Sequence, residues 1–381
     1  MLSKIKFLFN GLPVVMYHSI SFEQNSLSLS PTVFEEHCRA MQSAGWHTIS
    51  LAQAEDYFLR QKPLPPKSAW ITFDDGYLDN YTYAWPILRK YGLKGTTFAV
   101  LNKVETGLDL RPTLENVWQG DLAANDLPRA LNDPFVEHEL GFKERHSLFL
   151  NWQEIRFLTE EGTMQIAPHS LDHAKVFVSP EFEGFFEPKE RGRTFDRIKF
   201  EVPWGLPAFK AAPALANRAF LPSQKLLSAV KDLVPQTKKE AFAFFSEQAK
   251  RQQLLNLVRG FSPEELGRLE TDAEMQERFK QEMDACQAIM RRELGAPSQT
   301  FCWPWGAYNK QSVAAAENAG FKLLVTTEAG ANWPGVPQKV CRFSVKQRSA
   351  AGVLFRFKLL KYNFIAALYS VFRFSGKPRK K

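Results

Sequence analysis

The sequence predicts an α/β fold in which parallel strands close into a barrel, and three observations lead to this prediction. Short apolar segments alternate along the chain with helical segments, and this alternation is typical of parallel sheets. About eight strand segments are recognisable, a number that favours a barrel over an open sheet. A glycine follows most of the helical segments, as expected where helices end. A length of 381 residues suits one barrel with insertions.

The elements follow one another in a regular order. Ser30 and Pro31 have the residue types of a helix cap and first turn, and Asn151 with Glu154 has the spacing of a capping box. The predicted strands cover residues 12–16, 46–51, 69–75, 95–101, 163–168, 299–303, 321–327 and 340–345. The predicted helices cover residues 30–45, 79–91, 151–162, 262–294 and 309–319, the second of them bent at Pro86.

Two long segments interrupt this alternation and divide residues 1–346 of the predicted barrel. Residues 102–150 and 174–261 each follow a predicted strand, so both would emerge at the C-terminal face, where the active sites of barrels lie. The second segment contains an apolar run over 200–209 that is unsuited to a disordered linker. We predict two large ordered insertions that act as lids. The alternative is a separately folded helical insert with only an interaction role.

The composition limits the classes of partner. The net charge is +8, and much of the excess lies in residues 342–361 and 377–381. No RNA- or DNA-binding signature accompanies this charge, so we expect no nucleic-acid partner and favour a general basic surface or contact with an acidic membrane face.

The cysteines and the apolar segments bear on location. The four cysteines form no closely spaced pairs, which fits a reducing compartment. Residues 1–10 have no apolar run long enough for a signal peptide, and no stretch of about 18 apolar residues occurs. We therefore expect a cytoplasmic location, with attachment to the inner face of the membrane as an option.

Two adjacent carboxylates end an apolar strand. Residues 69–71 run into Asp74 and Asp75, and Gly76 then turns the chain. Neighbouring acids repel, so a fold keeps them together only when a cation, a helix N-terminus or hydrogen bonds compensate. The alternative is an Asp-Asp-Gly surface turn, since Asp and Gly are common in turns.

Two imidazoles follow another strand. His169 and His173 are four residues apart, and on one helical turn both rings would face the same way. With Asp75 they supply three ligands and leave a position for water, which predicts a divalent metal, zinc first among them. Asp74 then remains as a candidate general base, and His18, at the end of the first strand, as a candidate proton donor. For each histidine the alternative is a core or solvated strand-end residue.

These residues resemble the signatures of the polysaccharide deacetylases with a NodB-type domain, carbohydrate esterase family 4. The family's Thr-Phe-Asp-Asp-Gly is residues 72–76 here, and its His-Ser/Thr-x-x-His is residues 169–173. Phe301-Cys302-Trp303-Pro304-Trp305-Gly306 and Tyr17-His18 are most similar to the branch that includes the poly-N-acetylglucosamine deacetylases. The resemblance covers residues 12–101, 151–173 and 275–346 and leaves the insertions and the tail uncovered.

The resemblance implies a distorted, incomplete (β/α) barrel that hydrolyses the N-acyl (acetyl) amide of an amino sugar in a cell-envelope polysaccharide or lipid-linked glycan. By the same resemblance Asp75, His169 and His173 hold the metal and Asp74 is the base. His18 would be the acid, a role that other branches fill with a histidine late in the chain, whereas no histidine follows His173 here.

Aromatic residues near the signatures are candidates for substrate binding. The mechanism that the resemblance implies places a backbone N–H donor for the oxyanion near Tyr77 or in its loop. Trp303, Trp305 and Tyr308 are candidates for an apolar wall against the acyl methyl group or a sugar face, with core packing as the alternative.

One position departs from the family pattern. Many members carry an arginine in the third signature that buttresses the base aspartate, and Cys302 stands there in this chain. Arg342 is a candidate substitute near the substrate, and a surface arginine is the alternative.

The end of the chain and the function each leave alternatives open. Residues 347–381 form a predicted basic, apolar helix and tail, in which 350–373 either contacts a membrane surface or packs on the barrel. Membrane contact would favour a lipid-linked substrate. A deformylase of an N-formyl amino sugar and a catalytically silent glycan-binding protein are the alternative functions.

Overall fold

The computed structural model describes the barrel, most of both insertions and one C-terminal helix. The described residues are 11–23, 26–107, 109–131, 136–137, 143–144, 148–188, 198–200, 202–345 and 349–362. The strands are β1 (Val14–Tyr17), β2 (Ser19–Ile20), β3 (Ser28–Leu29), β4 (His47–Thr48), β5 (Ser68–Asp75), β6 (Gly95–Ala99), β7 (Val136–Glu137), β8 (Lys143–Glu144), β9 (Met164–Pro168), β10 (Lys175–Phe185), β11 (Pro207–Pro213), β12 (Phe220–Pro222), β13 (Gly267–Leu269), β14 (Thr300–Cys302), β15 (Leu323–Val325) and β16 (Phe343–Ser344). The α-helices are α1 (Pro31–Ser43), α2 (Leu51–Arg60), α3 (Trp85–Lys90), α4 (Leu114–Gln119), α5 (Trp152–Glu161), α6 (Gln224–Leu233), α7 (Lys238–Ser246), α8 (Gln248–Arg259), α9 (Pro263–Leu266), α10 (Asp272–Leu294), α11 (Lys310–Asn318) and α12 (Ala350–Leu360).

Parallel strands form a ring that is closed on one side and open on the other. The continuous sheet has the order β16-β1-β5-β6-β9, and β4 pairs with the start of β5. β14 and β15 form a second parallel pair, which Val325 joins to Val340 on the segment leading to β16. Between β9 and β14 the link is a side chain, because His169 Nδ1 donates to the Cys302 carbonyl at 2.9 Å. The predicted α/β fold, a distorted (β/α) barrel, is confirmed, and each predicted strand segment overlaps one of these strands.

Alternation along the strands separates two apolar layers. On β5, Ile71 and Phe73 belong to the layer between strands and helices. Trp70 belongs to the layer inside the barrel, where it meets Phe98 of β6. Thr72 and Asp74 continue the inward series, so the alternation directs one carboxylate into the barrel at the C-terminal end of β5.

The first correction concerns residues 46–51, where the sequence predicts a strand. β4 covers only His47–Thr48, and α2 begins at Leu51. Ser50 explains the difference, because its hydroxyl accepts from the Gln53 N–H while the Gln53 side chain accepts from the Ser50 N–H. This capping box starts a helix where the apolar pattern alone favours a strand.

The single helix predicted over 262–294 is wrong, because α9, β13 and α10 occupy this stretch. Gly267 lies so close to the Leu221 carbonyl of β12 that a Cβ would overlap it. β13 therefore pairs with β12, and Thr271 then starts α10 in a capping box with Glu274. The helix predicted over 79–91 also differs, since a π-helical turn, Asn80–Ala84, precedes α3 and its Pro86.

The described part of the second insertion has a core of its own. β10 and β11 form an antiparallel hairpin that packs with α6, α7 and α8. Its buried side chains include Phe177, Phe209, Val230, Phe244 and Leu254. The predicted order of the whole insertion and its action as a lid stay predictions.

The described part of the C-terminal region packs on the barrel. Val353, Phe357 and Leu360 of α12 are buried, and the Phe357 ring lies 4.9 Å from that of Trp46. Phe355 is exposed. The apolar residues 364–372, on which the membrane prediction also rests, lie outside the described residues. Within the described chain, every helix is too short or too polar to cross a bilayer.

Candidate active site and metal centre

The site begins at the end of β5, where Asp74 and Asp75 are both almost fully buried. Asp75 has a φ of 76°, in the left-handed region that residues with a Cβ rarely adopt. Gly76 follows at 77°, and a Cβ there would lie 3.0 Å from that of Ala99. This local geometry turns the second carboxylate away from the strand series and toward the loop after β9. Strain of this kind is typical of functional sites.

Three side chains converge on one point. Asp75 Oδ1 lies 3.7 Å from His169 Nε2 and 3.7 Å from His173 Nε2. The three candidate ligand atoms lie within 4.8 Å of one another, and all three residues are buried. Two imidazole nitrogens and one carboxylate oxygen are a common donor set for a catalytic divalent metal. The structure thus brings together the three ligands predicted from the sequence.

The loop that carries the two histidines differs from the helical turn expected for their spacing. Residues 169–173 are not helical, and Ser170 and His173 have φ values of 71° and 50°. The His173 N–H donates to Ser170 Oγ at 2.9 Å, which folds the loop on itself. The N–H groups of Leu101 and Asn102 donate to the carbonyls of Ser170 and Leu171. Hydrogen bonds therefore hold a strained loop in the conformation that brings both rings to Asp75.

Protonation also favours cation binding by the histidines. The His169 Nδ1–H donates to the Cys302 carbonyl, which leaves Nε2 as the free lone pair toward Asp75. Burial lowers the pKa of His169 to about 4 and that of His173 well below its usual value, so both are neutral at pH 7. Burial and the neighbouring Asp74 raise the pKa of Asp75, and a bound cation would oppose this by favouring the carboxylate.

Asp74 has a different partner. Arg342 donates from Nη1 to Asp74 Oδ1 at 2.6 Å and from Nη2 to Asp74 Oδ2 at 2.8 Å. Burial alone would raise the pKa of Asp74, but the guanidinium outweighs it and holds that pKa well below its usual range. Arg342 Nη2 also contacts Cys302 Sγ at 3.1 Å, so the guanidinium abuts the position of the family arginine. This geometry suits the buttressing role considered for Arg342.

Arg342 does not lie where a substrate-binding residue is expected. Its side chain is fully buried, and its remaining hydrogen bonds go to Thr72 and Thr326. A second group of possible ligands, Asp74, His169 and Cys302, surrounds the same guanidinium. A cation there would meet the positive charge of Arg342, so Asp75, His169 and His173 are the better candidate site.

His18 also lies close to Asp74. Its Nε2 is 4.0 Å from Asp74 Oδ2, and its side chain is 18% exposed. Asn80 Nδ2 donates to the His18 carbonyl at 2.9 Å, and the next residue, Ser19, donates from Oγ to Asp79 Oδ2 at 2.5 Å. The two β5 carboxylates thus have different nearest histidines, His18 at 4.0 Å from Asp74 and the candidate ligands His169 and His173 at 3.7 Å from Asp75.

Two of the aromatic candidates, the exposed Trp305 and the buried Tyr77, contact the candidate metal ligands, and the other two pack within the protein. Trp305 is 38% exposed and lies 4.0 Å from the His173 ring, with a strained φ of 54°. Tyr77 forms a hydrogen bond with the Asp75 carboxylate and stacks on Phe149.

Trp303 is completely buried among Phe301 and the other residues of the outer core, which corrects its place in the predicted apolar wall. Tyr308 stacks on Trp303 and donates to Glu328 Oε1 at 3.0 Å. Packing against Phe301 of β14 explains the position of Trp303, and the stack on Trp303 with the hydrogen bond to Glu328 explains that of Tyr308.

Sequence reasoning overlooked the residues that support the site. Asp79 and Asn80 hold the His18 segment, and Lys199 and Glu282 hold the histidine loop. Asp79 and Asn80 follow the Asp-Asp-Gly motif closely, a proximity that could have indicated them. Lys199 belongs to an insertion without a recognisable motif.

Residues 61–199 match the polysaccharide deacetylase family model. This range includes Asp74, Asp75, His169 and His173. This part of the chain is therefore similar to a polysaccharide deacetylase domain. His18 and Arg342 lie outside the matched range of that domain and are tied to it by the contacts described above.

The individual relatives and solved structures that are similar to this chain are also deacetylases. The poly-β-1,6-N-acetyl-D-glucosamine N-deacetylase of Escherichia coli K12 is 20% identical over 327 residues, which are 84% of this chain and 34% of that protein. A de-N-acetylase from Aggregatibacter actinomycetemcomitans has a TM-score of 0.58 at 16% identity and covers 91% of this chain and 100% of its own. The BpsB deacetylase domain of Bordetella bronchiseptica has a TM-score of 0.54 at 18% identity, covering 88% and 96%. These structures share the fold, and the chain spans about a third of the length of the curated relatives it matches.

Proposed function

We propose that this protein hydrolyses the N-acetyl amide of an amino sugar in a cell-envelope polysaccharide. The observation that carries the proposal is the convergence of Asp75, His169 and His173 beside a second buried carboxylate and His18. Similarity to the Escherichia coli poly-β-1,6-N-acetyl-D-glucosamine N-deacetylase supports an N-acetylglucosamine polymer as the first substrate to test.

The proposal includes a divalent metal, with zinc as the first candidate. Asp75, His169 and His173 would hold it, because neutral imidazoles and a carboxylate are the donors that zinc binds in hydrolases. When bound, such an ion supplies Lewis-acid chemistry that polarises a carbonyl oxygen and acidifies water.

Asp74 is the proposed general base. Its Oδ2 faces both Arg342 and His18, and the bidentate ion pair fixes the plane of the carboxylate. A charge-assisted pair of this geometry keeps the group ionised and oriented. Asp74 would accept a proton from the water that adds to the acyl carbon.

His18 is the proposed general acid. The C–N bond of the amide breaks as the sugar nitrogen receives a proton, so the products are acetate and a free amino sugar. The partial exposure of His18 lets it reach a bound substrate, while Asn80 fixes its backbone. Trp305, exposed beside His173, is the proposed contact for the acyl group or a sugar face, and the loop of Tyr77 is the proposed source of an oxyanion N–H donor.

Released acids from defined glycans test this function. The purified protein is incubated with oligomers of β-1,6-linked N-acetylglucosamine and, separately, with N-formyl amino sugars, each with and without a chelator, and acetate and formate are measured by mass spectrometry. We expect acetate release that the chelator abolishes and added zinc restores. Formate released only from N-formyl sugars would favour the deformylase, and no release from any glycan by metal-loaded protein would contradict the proposal.

We also propose, as a separate matter, that the protein is cytoplasmic and contacts the inner face of the membrane through residues 350–373, which would bring a lipid-linked glycan within reach. The exposed Phe355 on α12 supports it, as does the fact that Cys38, Cys286, Cys302 and Cys341 are unpaired, buried thiols. Co-sedimentation with anionic liposomes tests the contact, comparing the full chain with a chain lacking 363–381. Equal binding by both would contradict a role for that tail.

A further inference from the structure

A cluster of charges lies directly behind the loop that carries the two histidines. Lys199 Nζ donates to Asp172 Oδ2 at 2.7 Å and to Glu282 Oε2 at 2.6 Å. Asp172 belongs to the loop itself and precedes His173. Glu282 lies on α10, and its other oxygen accepts from the Leu171 N–H at 2.8 Å. One lysine thus connects the histidine loop with a helix outside the strand ring.

The charge cluster contacts a loop whose backbone is strained. Ser170 and His173 are both in the left-handed region, which is unfavourable for residues with a Cβ. Asn102 Nδ2 donates to Asp172 Oδ1 at 2.7 Å, so the Asp172 carboxylate is held on both oxygens. Without the lysine, two carboxylates of like charge would face each other behind the loop.

Lys199 is supplied by the second insertion. Its N–H donates to the Lys175 carbonyl at 2.8 Å, at the start of the β10–β11 hairpin. Its side chain is 21% exposed and that of Glu282 is 6% exposed, so the bridge is largely protected from solvent. Protected ion pairs of good geometry fix the position of their partners more strongly than surface pairs do.

We propose that Lys199 is a positioning residue through which the second insertion holds His169 and His173 in the geometry that binds metal. The insertion then has a role in the metal site beyond covering it. This inference rests on the metal site of the proposed function. Loss of a residue that orients metal ligands typically weakens metal affinity by about 10- to 100-fold.

Metal affinity measured on the full-length protein tests the proposal. Apo-protein is titrated with zinc against a chromophoric chelator, and Lys199→Met is compared with wild type. We expect the zinc dissociation constant to rise about 10-fold or more. Lys199→Arg, which keeps a cation able to bridge both carboxylates, should recover most of the affinity. The control is Lys210→Met, since Lys210 belongs to the same insertion and pairs with Glu181 on the surface.

A double variant separates positioning from stability. Lys199→Met leaves the buried Glu282 without its cation and is expected to destabilise the fold, whereas adding Glu282→Gln removes that charge and keeps an acceptor for Leu171. We expect the double variant to regain thermal stability and to remain weak in zinc binding. Recovery of zinc affinity together with stability would overturn the proposal, as would wild-type affinity in Lys199→Met. A wild-type protein that binds no zinc or other divalent ion would instead overturn the metal site itself.

Discussion

The two carboxylates at the end of β5 belong to halves of the site that are built differently. The metal half consists of Asp75, the last residue of β5, with His169 and His173 on the loop after β9, and two of these residues are in the left-handed region. The base half, Asp74 with Arg342 and His18, lies on or beside the central strands and is held by the bidentate ion pair. Adjacent residues thus acquire separate environments because one follows the strand alternation and the other leaves it.

The two halves therefore depend on different interactions to hold their side chains in place. The metal half depends on hydrogen bonds and charges from outside the barrel, since a strained loop needs partners to keep its conformation. The base half depends on the barrel itself, because Arg342 reaches Asp74 only when β16 and β5 flank β1. Variants should therefore separate into those that lose the metal and those that keep it while losing turnover.

The largest effect is expected in the metal half. His173→Ala and Asp75→Ala each remove one of three ligands, so bound zinc should fall from near one equivalent to near zero, with turnover lost as well. Metal analysis after dialysis measures this, with His47→Ala, an exposed histidine on β4, as the matched control. Either variant holding zinc as tightly as wild type would rule out the assigned ligand set.

A large but purely kinetic effect is expected for His18→Ala. The side chain lies 4.0 Å from Asp74 and is not among the candidate ligands, so zinc content should stay unchanged. Turnover should fall on the order of 10²–10⁴-fold, as for a general acid. Steady-state rates on the acetylated oligomers measure this. A variant as active as wild type would remove His18 from the mechanism.

Arg342→Met should have a smaller effect on turnover and a clear effect on stability. Removing one partner of a buried ion pair leaves the Asp74 charge uncompensated, at a cost of about 3–5 kcal/mol in the free energy of unfolding. Turnover should fall about 10- to 100-fold, the range for residues that orient a reacting group, with zinc still bound. Arg259→Met, at an exposed position on α8, is the control. Loss of zinc in Arg342→Met would show that the two halves are not separable.

The sequence allowed prediction of the barrel strands and of the residues in both halves, but not of their supports. Strands such as β5 and β9 could be predicted because each is an apolar segment of strand length, a local feature of the sequence. Asp75 and His169 could be predicted because each belongs to a family signature. The conformation of the histidine loop was mispredicted, because a spacing of four fits a helical turn and only tertiary hydrogen bonds favour the strained alternative. The partners of Lys199 come from distant parts of the chain, and no local pattern connects them.

The smallest effect on turnover is expected for a substitution of Asp79, which accepts a hydrogen bond from Ser19, the residue after His18. The main effect of such a substitution should be on stability. Burial raises the pKa of Asp79 to about 6, from an ordinary value of 3.8, against hydrogen bonds from Ser19, the Ile20 backbone and Asn80. The folded state therefore binds this proton more tightly than the unfolded state. The stability that protonation of Asp79 contributes is fully present below about pH 3.8. This contribution declines as the pH rises to about 6 and is lost above that pH.

Asp79→Asn cannot ionise, so its free energy of unfolding should increase relative to wild type as the pH rises from 4 to 7. Each pKa unit corresponds to about 1.4 kcal/mol, so the relative change should reach roughly 3 kcal/mol at most. Urea unfolding at several pH values, with chelator present to remove metal effects, measures the difference. Asp284→Asn, at an exposed position on α10, should follow wild type at every pH. If the Asp79→Asn and wild-type profiles stay parallel, the pKa of Asp79 is not raised in the folded protein. The environment of the base half would then be set by the ion pair of Asp74 with Arg342, without a contribution from Asp79.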